Sequence, residues 1–249
     1  MRLATLMFCL ATPALADPVA DIVILGEVHD NPDAHIGQAQ ALDALKPTAV
    51  VFEMLTAEDA LRTNQDRDLI PEIWDNGGWP DYSLYAPIFD AMGTARIVGA
   101  AAPRETVRTV YGEGAAALFG SDALRFGLDA PLPEAQQTLR EEMQFDAHCQ
   151  AMPREMMAGM VEVQRYRDAV FARAALEALE TFGPPVAVIA GNGHARTDWG
   201  IPAMITRAAP EVTTHATGFV ETQTDTPFDT VIIVPEAQRD DPCASLQTN

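Results

Sequence analysis

The chain has 249 residues, 48% of them hydrophobic, and carries 36 acidic against 16 basic side chains for a formal net charge of −20. That apolar fraction is ample for a packed core and excludes wholesale disorder. The charge repels phosphate backbones and anionic headgroups, which excludes nucleic-acid and lipid-surface partners.

Residues 1–16 read as a targeting segment. Arg2 gives the positive start, Leu3 to Leu10 is almost wholly apolar, and Ala14-Leu15-Ala16 gives a small-x-small cleavage pattern. The expectation is cleavage after Ala16, export to the periplasm and a single mature domain over residues 17–249. Cys9 follows Leu6-Met7-Phe8, which lacks the small residue of a lipid-attachment site, so the product is expected to be soluble rather than anchored. No later apolar run approaches the roughly 20 residues of a membrane span. Cleavage leaves two cysteines, Cys149 and Cys243, and an even pair in an oxidising compartment is expected to form a disulfide.

Along the mature chain, Asp21 to Gly26 is an apolar run ending at glycine, which fits a strand buried on both faces. Asn31-Pro32 reads as N-cap and first helical residue of a helix to about Leu45. Ala49 to Glu53, Arg96 to Ala100 and Val186 to Ala190 read as further strands. Thr213 to Val220 and Thr230 to Val234 read as two closing strands, for which an antiparallel sense stands open. Helices are expected near 56–67, 84–92, 104–118, 134–148 and 154–182. The alternation predicts an α/β domain with a largely parallel central sheet flanked by helices. Residues 103–182 form a helical insertion expected to cap the strand ends.

Ligands of open α/β sheets bind at the carboxyl ends of the strands. Ionisable residues gather there in Gly26-Glu27-Val28-His29, at Glu53, and in Gly191-Asn192-Gly193-His194-Ala195-Arg196. Glycine permits a sharp turn, and a histidine three residues on can point into the crevice. His29, His194 and Glu53 could hold a divalent metal, or with Glu27 serve as acid and base. In the long helix, Met156, Met160, Val163, Val170 and Ala174 recur at helical spacing and predict the buried stripe. Arg167 falls on that stripe, Asp168 on its flank with Met157, and a buried charge there needs a partner at the strand ends. Met152, Met156, Met157 and Met160 cluster near His148, as core or as the wall for a flat ligand. Tyr82 and Tyr85 share a helix face after Asn76-Gly77-Gly78-Trp79-Pro80, as a lid or a packing corner.

Ile24-Leu25-Gly26-Glu27-Val28-His29-Asp30-Asn31, Val51-Phe52-Glu53-Met54, Gln164-Arg165-Tyr166-Arg167-Asp168 and Gly191-Asn192-Gly193-His194-Ala195-Arg196 together resemble the ChaN family of haem-binding uptake proteins. The family belongs to the Tiki superfamily, with erythromycin-esterase-like and TraB-like relatives. The resemblance runs from about residue 20 to 235. It implies an envelope-located protein that binds haem or iron, and it admits a homodimer with haems at its interface. It implies tyrosine ligation of the iron, with Tyr82, Tyr85, Tyr111 and Tyr166 all open as the ligand. His29, Glu53, His148, Met157, Asp168 and His194 are the further cofactor-contact candidates, and Arg104, Arg167 and Arg196 are the cations available to propionates. The contrasting reading is a metal-dependent or Glu/His-assisted hydrolase, in which His29 and His194 hold a metal or move a proton and Glu27 or Glu53 activates water.

Overall fold

Six strands running in one direction form the centre of the molecule, in a computed structural model that describes residues 20–241, 243 and 244. The expected leader and its cleavage point lie outside the described residues. The strands are β1 (Ile22–Glu27), β2 (Ala49–Phe52), β3 (Arg96–Gly99), β4 (Val186–Gly191), β5 (Thr214–Val220) and β6 (Thr230–Ile233). Their order across the sheet is β3-β2-β4-β1-β5-β6, and every neighbouring pair is parallel.

Side chains alternate across a pleated strand, so the continuous apolar runs feed two cores at once. Ile22, Ile24, Ala49, Val51, Val186 and Val188 enter one core, and Leu25, Val50, Phe52, Ala187 and Ile189 enter the other. The second core is covered by α1 (Pro32–Leu45), α2 (Ala57–Gln65), α3 (Ile70–Gly77) and α4 (Tyr82–Ala91). The first is covered by α5 (Arg104–Glu113), α6 (Ala115–Phe119), α8 (Met157–Phe182) and α10 (Ile201–Ala208). Helix α7 (Glu134–Ala147) packs on α8, and the single turn α9 (Asn192–Ala195) follows β4 directly. No helix among the described residues is long and apolar enough to cross a membrane.

Several local readings hold for stated physical reasons. Asn31 caps α1, its side-chain oxygen accepting from the backbone N–H groups of Asp33 and Ala34 at 2.9 and 3.0 Å. Thr56 and Asp59 form a reciprocal capping box at the start of α2.

Others need correction. The closing strands β5 and β6 are parallel. Residues 221–229 return the chain across a sheet face without a helix, and Phe228 packs into the core on the way. The expected helix over 104–118 breaks at Gly114 into α5 and α6. Helices α3 and α10 were not expected from sequence; both are short and begin at an Ile-Pro pair, which reads as a loop signal. The buried face of α8 is rotated by about one residue from the expected stripe. Met157, Val161, Arg165, Asp168, Ala169, Ala172 and Ala175 are buried; of the expected stripe Val163 is buried, whereas Met156, Met160, Val170 and Ala174 are only half-buried. Arg167 accordingly leaves the core face. Arg165 takes the buried position, donating to the carbonyls of Gly127 and Ala130 at 3.1 and 2.9 Å and to Glu162 at 2.6 Å.

Candidate functional site

Two groups of buried ionisable side chains meet where β1, β2 and β4 end. In the first, Glu27 closes β1 and is almost fully buried. Its Oε1 receives Nδ1 of His29 at 2.8 Å and the Tyr85 hydroxyl, with His35 Nε2 3.6 Å away. Burial alone would raise the Glu27 carboxyl, but the His29 hydrogen bond and the two neighbouring imidazoles outweigh it and hold the group at about 2. Burial opposes a charged His29, yet the Glu27 bond and the Glu53, Glu27 and Asp30 charges raise its pKa. Burial and the adjacent Glu27 carboxylate push the Tyr85 phenol far up, so it remains a protonated donor.

The second group is built around His194 on the α9 turn. Asp168, wholly buried in α8, lies 2.5 Å from His194 Nδ1, and Glu53 Oε1 lies 3.6 Å from Nε2. The other Glu53 oxygen accepts the Gly191 backbone N–H at 2.8 Å. Phe171 stands edge-on to the His194 ring at 4.8 Å between centroids. Burial disfavours charged forms of both partners, which raises Asp168, while the Glu53 and Asp168 charges prevail at His194 and raise it too. Gly191 joins the two groups: a Cβ there would stand 2.9 Å from His29 Nε2 and 3.7 Å from Glu53 Oε2. The absence of a side chain at Gly191 is what lets the His29 ring come this close to the backbone.

Glu53 faces a crevice of about 320 Å³ at the strand ends, lined also by Trp79, Arg104, Arg167 and Phe171. Trp79 stands edge-on to His29, 5.1 Å between centroids. Among the described residues, neither Arg104 nor Arg167 has an ion-pair partner. No group of three or more His, Cys, Asp or Glu side chains among the described residues is arranged to hold a metal ion. Of His29, Glu53 and His194, Glu53 alone lines this crevice, and the three are engaged in pairs: His29 with Glu27, and His194 with Asp168 and Glu53.

A second cavity, about 430 Å³, opens within the insertion between α5, α7 and α8. Val107, Met156, Met160 and Val163 form its apolar wall; Tyr111, His148, Arg108 and Arg167 supply its polar groups. His148 ends α7, its Nδ1 2.7 Å from the Gln144 carbonyl. Gly159 on α8 lies flush against the Tyr111 ring, where a Cβ would fall 2.6 to 2.9 Å from three ring carbons.

The predicted residues therefore divide. Glu27, His29, Tyr85, Glu53, Asp168 and His194 assemble at the strand ends. His148 and Arg167 line the insertion cavity, together with Met156 and Met160, while Met157 turns into the interior. Tyr82 packs against Phe89, and Tyr166 is buried edge-on to Phe119. Arg196 is held by Asp198 at 2.6 and 2.8 Å and lies over Trp199. Cys149 and Cys243 are disulfide-bonded, with Cα atoms 5.4 Å apart. Sequence reading missed His35 and Arg140, both buried; each lies on a helix face whose burial no periodicity announced.

An all-parallel sheet whose strand ends gather carboxylates and imidazoles, roofed by a helical insertion with its own cavity, defines the class of protein. The family model described as "Haem-binding uptake, Tiki superfamily, ChaN" matches residues 17–205, and the chain belongs to that family. Among solved structures, it is similar to one described as cofacial heme binding to ChaN of Campylobacter jejuni. That likeness has a TM-score of 0.67 at 19% identity and covers 86% of this chain and 87% of the other. A second likeness, to the type III effector HopBA1, has a TM-score of 0.43 at 14% identity over 87% and 88% of the two chains, and carries no argument. A comparison with curated proteins finds no match.

Proposed function

We propose that this is an exported haem- or iron-binding protein of the periplasm, acting in haem or iron uptake, with haem seated in the insertion cavity. The observation that carries the reading is the composition of that cavity. Haem asks for an axial donor, apolar walls and a cation for its carboxylates. Tyr111 and His148 offer the donor, Val107, Met156, Met160 and Val163 the walls, and Arg108 and Arg167 the cations. A volume of about 430 Å³ lies within the range of ligand sites, roughly 300–1,000 Å³. Of the four tyrosines, Tyr85 is committed to Glu27 and Tyr82 and Tyr166 pack against phenylalanines, so Tyr111 is assigned as the ligand. The cofacial haems named for the Campylobacter protein, carried to this chain, have two copies present their cavities to one another.

The test is a haemin titration of the mature protein, followed by its visible spectrum and by its mass in solution. A saturable Soret band that Tyr111→Phe shifts or abolishes, and that Tyr82→Phe and Tyr85→Phe leave in place, supports the assignment. A wild-type protein with no saturable band overturns it.

A second reading rests on the Asp168–His194–Glu53 array beside the 320 Å³ crevice. Such an array can move a proton: a buried carboxylate orients the ring, and the other ring nitrogen faces a second carboxylate at the crevice edge. With Arg104 and Arg167 unpaired nearby, the fitting chemistry is Glu/His-assisted hydrolysis of a small anionic ester. The pairwise donor set fits that form better than a metal-dependent one. Turnover of an anionic ester panel that Glu53→Gln and His194→Ala both abolish, with the thermal midpoint nearly intact, would favour this reading. No turnover by the wild type would remove it.

A further inference from the structure

Arg140 is the buried cation that neither site accounts for. It projects from α7 and is only 6% exposed, yet its Nε and Nη1 have no hydrogen-bond partner. Its guanidinium lies 4.8 Å from the centroid of the Trp199 ring, an attraction that satisfies a face of the group and leaves the N–H edge unbonded. The charged groups nearest to it are Asp168, Arg165, Asp198 and Arg196. Three of these are already taken: Arg196 holds Asp198, and Arg165 holds Glu162 and the carbonyls after Gly127. Asp168 gives one oxygen to His194 and keeps the other unbonded, beyond ion-pair reach of Arg140. Burial drives the Arg140 pKa down to about 10, as expected for a cation short of partners.

An unpaired buried guanidinium is costly, and an anion reaching it would relieve that cost. Arg140 lines a small cavity of about 50 Å³ with Gln144, Gln164, Gly193 and Trp199. One water needs about 10–15 Å³ of such space, so the cavity has room for a small polar group. Gln144 and Gln164 also line the larger cavity that holds Tyr111 and His148. The two cavities share this pair of amides as a common wall.

We infer that Arg140 is an internal anchor for one carboxylate arm of the ligand in the Tyr111 cavity, reached between Gln144 and Gln164. The chemical class selected is a flat macrocycle with a free propionate, while Arg108 and Arg167 at the wider cavity serve a second. Arg167 and Arg108 are accessible to water and cost little when empty; Arg140 is not, and its unbonded Nε and Nη1 leave charge-assisted donors for a carboxylate. This inference rests on the haem reading above.

The experiment is a double comparison: wild type and Arg140→Gln, each titrated with haemin and with haemin dimethyl ester. A hydrogen-bonded carboxylate lost from a buried charge corresponds to about ten- to a hundredfold in affinity. The expectation is that Arg140→Gln weakens haemin by that factor and leaves the diester unchanged. Equal weakening of both ligands, or of neither, overturns the anchor while leaving haem binding in place. Should Arg140→Gln fail to fold, Arg140→Lys retains the charge but not the Nε and Nη1 donor positions and is expected to weaken haemin selectively; an equal effect on the diester again overturns the anchor. A wild type with no saturable Soret band is the separate failure of the haem reading itself.

Discussion

Asp168 Oδ1 lies 2.5 Å from His194 Nδ1, joining the middle of α8 to the turn that ends β4. The contact adds a buried polar tie to the apolar packing of α8 on the sheet. Residues more than twenty apart in sequence share a buried charge pair, with Gln164 one turn earlier reaching the same ring at 3.1 Å.

The pair makes stability depend on pH. His194 has its pKa raised in the fold by Glu53 and Asp168 against the cost of burial. A raised histidine stabilises fully below its unfolded value, near 6.5, and loses that contribution as pH rises through the folded value. Asp168→Asn removes a cause of the shift. The stability lost on this substitution, measured by urea unfolding, should therefore be larger at pH 6 than at pH 9. A loss independent of pH would show that the contact is packing alone. In the same variant the His194 ring should titrate at lower pH by proton NMR.

Glu27 has the opposite sign. Its carboxyl drops from an ordinary 4.5 to about 2, so its contribution is present above about 4.5 and fades as pH falls towards 2. A shift of that size corresponds to on the order of 3 kcal/mol for a buried group. Glu27→Gln should cost about that much near neutral pH, and the wild type and variant should converge in acid. Parallel acid-unfolding curves would contradict it.

The strand-end cluster was legible in the sequence because it follows from topology: strand-ending Glu27, Glu53 and His194 must meet once β1, β2 and β4 are adjacent and parallel. The pairing of Asp168 with this cluster was legible as a buried charge in need of a partner. What could not be read was helix rotation. A one-residue turn of α8 moved Arg167 out to the crevice and put Arg165 inside, and small alanines at 169, 172 and 175 gave too weak an apolar contrast to reveal it. The cavity was hidden for a related reason. Tyr111, His148 and the methionines lie on three helices whose mutual packing no single periodicity encodes, and α5 was merged with α6 in the expected span.

Gly159 gives a test of the Tyr111 assignment that leaves the tyrosine in place. Alanine at 159 favours the helix by up to about 1 kcal/mol but collides with the Tyr111 ring at 2.6 to 2.9 Å. The ring is half-buried and can swing outwards, so thermal stability should change by less than about 1 kcal/mol. Haemin affinity should nonetheless fall and the Soret band shift, as for Tyr111→Phe. An unchanged spectrum at unchanged affinity would remove Tyr111 from the site.

The disulfide offers the last test, because it bears on stability and on the cavity at once. Cys149 directly follows His148, and its bond to Cys243 closes a separation of 94 residues. Cys149 and Gln150 both have positive φ, at 58° and 57°, a conformation that non-glycine residues adopt at a cost of about 1–2 kcal/mol each. The turn is held in part by Gln150 donating to Asp146 at 2.9 Å, and the covalent link adds to that restraint. Mass spectrometry of the oxidised protein after alkylation should find neither cysteine labelled. Removal of the bond in Cys243→Ser should lower stability by about 2–4 kcal/mol, chiefly by freeing the unfolded chain. The His148 Nδ1 contact to Gln144 lies within α7 and does not depend on the tail. Haemin affinity of the folded variant should thus stay within about threefold of wild type, a change under 1 kcal/mol. A large loss of affinity with stability intact would mean that the tail, rather than α7, positions His148.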